Sequence, residues 1–113
     1  MSEQTFLILA ALADQPRHGY GLVTEVAAMS DGRIKLRAST LYAALDRLLA
    51  RELIAHERDE VDNGRLRRYY RLTDQGAETV REEADRMAAS ADRARERLRL
   101  RPSRPALGNG GTA

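Results

Sequence analysis

The chain has 113 residues, with 19 basic and 17 acidic side chains for a net charge of +2, and it contains no cysteine. That length holds one small domain with an appendage rather than two ordinary domains. The lack of cysteine excludes a disulfide scaffold and thiolate metal sites, and it fits a reducing cytoplasm. The longest unbroken apolar run, Phe6 to Ala13, falls far short of the roughly 20 residues a membrane span needs. Glu3, with no basic residue before it, argues against a secretory leader. The expectation is a cytoplasmic chain with no membrane partner and no cofactor.

Residues 4 to 14, QTFLILAALAD, are rich in Leu and Ala and apolar nearly all round. Those residue types predict a short helix with both faces covered, one of them by a second chain. Gln15-Pro16 ends it, because the residue before proline avoids helical geometry. His18-Gly19-Tyr20-Gly21 opens a second helix over roughly Tyr20 to Met29, with Leu22, Val23, Val26 and Ala27 at helical spacing. Ser30-Asp31-Gly32 stops it. Ile34-Lys35-Leu36 alternates and reads as a very short strand. Residues 38 to 51, ASTLYAALDRLLAR, form a third helix with a buried stripe of Leu41, Leu45, Leu48 and Leu49. Its opposite face carries Ser39, Ala43, Asp46 and Ala50, with Thr40, Arg47 and Arg51 on one flank and Tyr42 on the other.

A hairpin follows. Leu53 to Arg58 alternates imperfectly, Asp62-Asn63-Gly64 is a strong turn signal, and Arg67 to Leu72 returns. Alternation puts Arg68, Tyr70 and Leu72 on one face, and Arg67, Tyr69 and Arg71 on the other. Thr73 caps a fourth helix, with Asp74 in its first turn. Along that helix Ala77, Ala84, Ala91 and Leu98 recur every seventh residue, interleaved with Val80, Met87 and Ala94. That is a heptad seam of mostly small residues, a docking face for a second copy or, in the ordinary alternative, for the first helix of the same chain. Arg101-Pro102 breaks the helix, and the Gly-rich remainder is expected to be disordered. The predicted organisation is a DNA-binding unit over 1–72, a dimerisation helix over 73–100 and a tail over 101–113. The fold class is mainly α with a small β-hairpin (α+β), a winged helix-turn-helix plus one long C-terminal helix.

Charge follows the same division. Residues 1–60 hold seven basic and nine acidic side chains, whereas residues 61–113 hold twelve and eight. Every basic residue except Lys35 is arginine, the side chain suited to bidentate phosphate and base-edge contacts. The third helix offers small and hydrogen-bonding residues at its N-terminal end, as a reader of the major groove needs: Ser39, Thr40 and Ala43, with Tyr42 and Arg47 on the flanks. Arg65, Arg67 and Arg68 cluster at and just after the hairpin tip, where they would meet phosphate or a minor groove. Lys35 and Arg37 precede the reader and complete the expected DNA-binding set. The expected dimer face is Phe6 and Leu9 of the first helix with Ala77, Val80, Ala84, Met87, Ala91, Ala94 and Leu98 of the fourth. Ordinary alternatives exist for each segment. The third helix reads equally as an amphipathic helix with a solvated back, and the arginines as a charged strand edge paired with Glu57, Asp59, Glu60 and Asp62. Catalysis has little support. His18 and His56 lack metal-ligand spacing, there is no Gly-rich phosphate loop, and Ser39 has no evident base.

Three segments, FLILAALADQPRHGYGL, LRASTLYAALDRLLARELI and RLRRYYRLTDQG, together resemble the PadR-type transcriptional regulators over about residues 5 to 76. The resemblance is to the short subfamily, with a single C-terminal dimerisation helix. It implies a homodimeric winged-helix repressor of a palindromic operator, with DNA contacts from Ser39, Thr40, Tyr42 and Arg68 with its neighbours. It also leaves room for a small hydrophobic or aromatic effector. Two positions depart from the pattern: Arg37 stands where a Ser or Thr cap is usual, and Glu52 where Gly is usual. The fourth helix has no Trp, Phe or Tyr, so an aromatic-lined effector pocket finds no support, although Met87 and Leu98 offer a small apolar gap. The alternative reading is a winged helix used for protein docking without an operator.

Overall fold

The computed structural model describes residues 1–104. The order of elements is α1 (Glu3–Ala11), β1 (Arg17–His18), α2 (Gly19–Met29), α3 (Ala38–Ala50), β2 (Ile54–Asp62), β3 (Arg65–Leu72) and α4 (Asp74–Arg99). The strands form one antiparallel sheet in the order β1-β3-β2. Two compact units result, residues 1–83 and residues from Ala84 onward. The tail expected beyond Arg101 has no regular structure over 101–104, and its remainder lies outside the described residues.

Local chemistry sets the helix ends. The Ser2 hydroxyl accepts from the Thr5 N–H at 3.1 Å and starts α1. His18 starts α2 in the same way: its Nδ1 accepts from the Gly21 N–H at 3.2 Å. At the end of α2 the buried Ser30 hydroxyl donates to the Val26 carbonyl and accepts from the Ile34 N–H, so no polar group is stranded. α3 closes through paired bonds, Leu53 N–H to Leu48 O and Glu52 N–H to Leu49 O. That motif calls for a left-handed residue, and Glu52 adopts φ 61°. Thr73 caps α4 as expected: its hydroxyl accepts from the Gly76 N–H and donates to the Glu52 carbonyl.

The core of the first unit is aliphatic. Ile8, Leu9, Leu22, Val26, Leu41, Leu45, Leu48, Leu53 and Ile54 are its most enclosed side chains. Each contributes about 1.5–3 kcal/mol by leaving water. Tyr70 closes the core from β3, while Phe6, Leu49, Leu72 and Val80 pack around it half-buried. Gly76 lets the first turn of α4 lie against the start of β2, since a methyl group there would overlap the Leu53 carbonyl.

Four expectations change. Residues Ile34–Leu36 are not a strand; Leu36 instead turns into the core. The sheet has a third strand, because Arg17 and His18 pair with Tyr70 and Tyr69 along the otherwise open edge of β3. The first helix stops at Ala11 rather than running to Asp14, where the Ala11 carbonyl accepts from Arg17 Nε at 2.7 Å. Leu9, expected on a dimer face, has 0% exposure. Three consecutive residues, Leu7, Ile8 and Leu9, are buried around α1 within the chain, and Phe6 is half-buried.

Candidate nucleic-acid interface

The α3 side chains divide as an amphipathic helix must. Leu41, Ala44, Leu45 and Leu48 are buried, and Ser39, Thr40, Tyr42, Ala43, Asp46 and Arg47 are exposed. The backbone of Arg37 adopts the extended cap geometry, but its side chain makes no capping hydrogen bond, as expected of an arginine in place of Ser or Thr. Lys35, Arg37, Arg47 and Arg65 are exposed and make no ion pair among the described residues. They are cations available to an outside anion.

The hairpin is the wing. Asn63 (φ 52°) and Gly64 (φ 77°) make a two-residue turn between Asp62 and Arg65, the geometry that matches strand twist and favours Asn-Gly. The register places an acid opposite each wing arginine: Asp62 with Arg65, Glu60 with Arg67, and Asp59 with Arg68. Of these, Asp59 and Arg68 approach to an ion pair at 3.7 Å. Asp59 also accepts from His56 Nε2 at 2.9 Å. The His56 hydrogen bond, with Arg68 assisting, holds the Asp59 carboxyl below the usual range. The Arg68 charge is thus offset within the wing, whereas Arg65 and Arg67 make no ion pair among the described residues.

A cleft of about 480 Å³ joins the wing to the starts of α2 and α3. Gly19, Tyr20, Val23, Leu36, Ala38, Leu41, Tyr42, Arg65 and Arg67 line it. Gly19 matters to this wall, because the Tyr42 hydroxyl lies where a side chain at Gly19 would begin. The Arg67 guanidinium stands 5.7 Å from the centre of the Tyr20 ring. Tyr69 lies between the His18 ring, edge-on at 5.1 Å, and the Arg58 guanidinium at 4.2 Å. Burial, followed by the nearby Arg67 charge, pushes the His18 imidazole below its ordinary pKa. A neutral ring is also what its role as acceptor for Gly21 requires.

The structure therefore brings Ala38, Tyr42, Arg65 and Arg67 around one cleft, with Ser39, Thr40 and Ala43 exposed on the same helix. Arg68 falls on the other face of β3, the face of buried Tyr70, and tends toward Asp59. Sequence reasoning missed Tyr20. It is 67% exposed on the first turn of α2, outside the apolar stripe of its helix, and that position was the available signal. Among the described residues no three acidic or histidine side chains are placed to hold a metal, and no helix is long and apolar enough to cross a membrane.

Three helices, a wing on a three-stranded sheet and a long final helix define a winged helix-turn-helix protein. The family model described as the transcriptional regulator PadR-like family matches residues 8–82, and the chain belongs to that family. A PadR family transcriptional regulator from Eggerthella lenta is 32% identical, with a TM-score of 0.66 over 83% of this chain and 80% of that one. A PadR family regulator from a hypervirulent Clostridium difficile strain is 22% identical, with a TM-score of 0.72 over 86% and 99%. Bacillus subtilis PadR, solved in complex with operator DNA, is 20% identical, with a TM-score of 0.62 over 71% of this chain and 45% of that one. The last two show likeness of fold alone.

Proposed function

We propose that this chain is a cytoplasmic transcriptional repressor, not a catalyst, that binds a palindromic operator as a homodimer. The observation that carries the reading is the juxtaposition of the exposed start of α3 with Arg65 and Arg67 of the wing on one cleft. In this account Ser39, Thr40, Tyr42 and Ala43 meet base edges and sugars in the major groove. Lys35, Arg37, Arg47 and the wing arginines neutralise phosphate. The second copy docks on the α4 seam of Ala77, Val80, Ala84, Met87, Ala91, Ala94 and Leu98, and Phe6 of α1 joins the contact with that copy. Met87 and Leu98 are exposed in the single chain, and they are where a small hydrophobic effector would find apolar surface.

Selection of bound sequences from random duplex DNA by the purified protein tests this directly. The expected outcome is enrichment of a two-fold symmetric sequence. Thr40→Ala should shift which bases are enriched, while Arg68→Ala should weaken binding about equally on all sequences. Recovery of no preferred sequence at moderate salt would favour the protein-docking alternative, for which the Asp59–Arg68 pair in the wing is the supporting observation.

A further inference from the structure

We infer that the cleft between the wing and the starts of α2 and α3 seats one sugar–phosphate unit of the DNA backbone, anchored by the Tyr20 hydroxyl and the Arg67 guanidinium. The inference rests on the DNA-binding reading and adds to it a specific seat and a residue outside the expected set.

The cleft is two-natured. Val23, Leu36 and Leu41 supply an apolar floor, and Tyr20, Arg65 and Arg67 a polar, cationic rim. A deoxyribose ring presents C–H surface on one side and hands its charge to the adjoining phosphate, so one backbone unit matches floor and rim together. Inorganic phosphate would use the rim alone. Arg67 carries the second sign of an outside acceptor. It makes no ion pair among the described residues, although β3 register places it opposite Glu60. A guanidinium without a carboxylate partner on the rim of a cleft is a ready partner for a phosphate oxygen. The Tyr20 ring beside the guanidinium keeps Arg67 at the rim, while its exposed hydroxyl is free to donate to the same anion.

Tyr20→Phe retains the ring and deletes only the donor. Fluorescence anisotropy on a selected duplex should then show affinity falling about tenfold, as for loss of one hydrogen bond to a charged group, equally on mismatched duplexes and with an unchanged salt slope. Arg67→Gln should also weaken binding, and it should reduce the slope of log K against log salt by about one for each phosphate left without its cation. Duplexes carrying a single neutral methylphosphonate, scanned along the site, should include one position per half-site where wild type and both variants bind alike. Free deoxynucleoside monophosphate at millimolar concentration should not displace the duplex. The thermal melt of Tyr20→Phe should match wild type, since Tyr20 lies at the surface. Wild-type affinity in both variants, with Thr40→Ala still altering preference, would overturn the seat and leave the DNA reading standing. Displacement by micromolar mononucleotide would also overturn it, making the cleft a small-anion site. Failure of the wild type to bind any duplex would remove the DNA reading and the seat with it.

Discussion

His18 shows how one side chain serves several ends. It caps α2 through the acceptor nitrogen of a neutral ring, pairs β1 with β3 through its backbone, and sets its ring edge-on to Tyr69. Its folded pKa lies below the unfolded value of about 6.5, so below that pH the unfolded chain binds the extra proton more readily. The His18 contribution to stability is therefore complete above about pH 6.5 and drains away as pH falls through the lowered folded-state value. Denaturant midpoints at pH 7.5 and 5.5 should show that loss in the wild type and a smaller one in His18→Asn, which keeps a capping acceptor. Equal losses in both proteins would assign the pH response elsewhere. Glu52 makes the opposite bargain. It holds a left-handed backbone that costs an L-residue about 1–2 kcal/mol, partly offset because glycine loses more entropy on folding. Glu52→Gly should raise unfolding stability by roughly 1 kcal/mol by chemical denaturation, and a lower stability would refute the strain.

At the scale of elements, the wing sets acids opposite its tip arginines. Asp59 holds Arg68 at 3.7 Å, and phosphate must compete with that carboxylate. Asp59→Asn should tighten DNA binding about two- to fivefold, the range expected for releasing an exposed pair, and an unchanged or weaker affinity would show that Arg68 does not work at the interface. The wing, the reader and the α4 cap were legible in the sequence because each rests on local chemistry. Asn63-Gly64 demands a tight turn, the Leu stripe from Leu41 to Leu48 demands a helix with one buried face, and Thr73 demands a helix behind it. What escaped was the pairing of distant segments. Nothing near Arg17-His18 marks a two-residue strand, which exists only because β3 offers it an edge. Ile34-Lys35-Leu36 alternates like a strand, but no edge is paired with it. The spread of apolar residues in α1 says that it is enclosed without saying by what, and Leu9 proves to be enclosed by its own chain. Of the candidate site, residue types and positions on α3 could be read directly, whereas the cleft and Tyr20 required the sheet to bring β3 beside α2.

For the whole molecule, the claim is that two copies act together. Met87 lies mid-seam on α4 and is 45% exposed in the single chain. Met87→Glu places a charge where apolar surfaces should meet. Light scattering should then report one protomer instead of two, and operator affinity should fall by about 10²–10⁴-fold as two linked half-sites give way to one. If each dimer neutralises about 6–10 phosphates, log K against log salt should fall with a slope of about −5 to −9. The most direct measurement is a hydroxyl-radical footprint of the selected duplex bound by the wild-type protein. Two equal protected patches related by two-fold symmetry and centred about 10–10.5 base pairs apart, or a multiple of that, would place two readers in successive major grooves. A single patch, or uniform cleavage at saturating protein, would contradict the account.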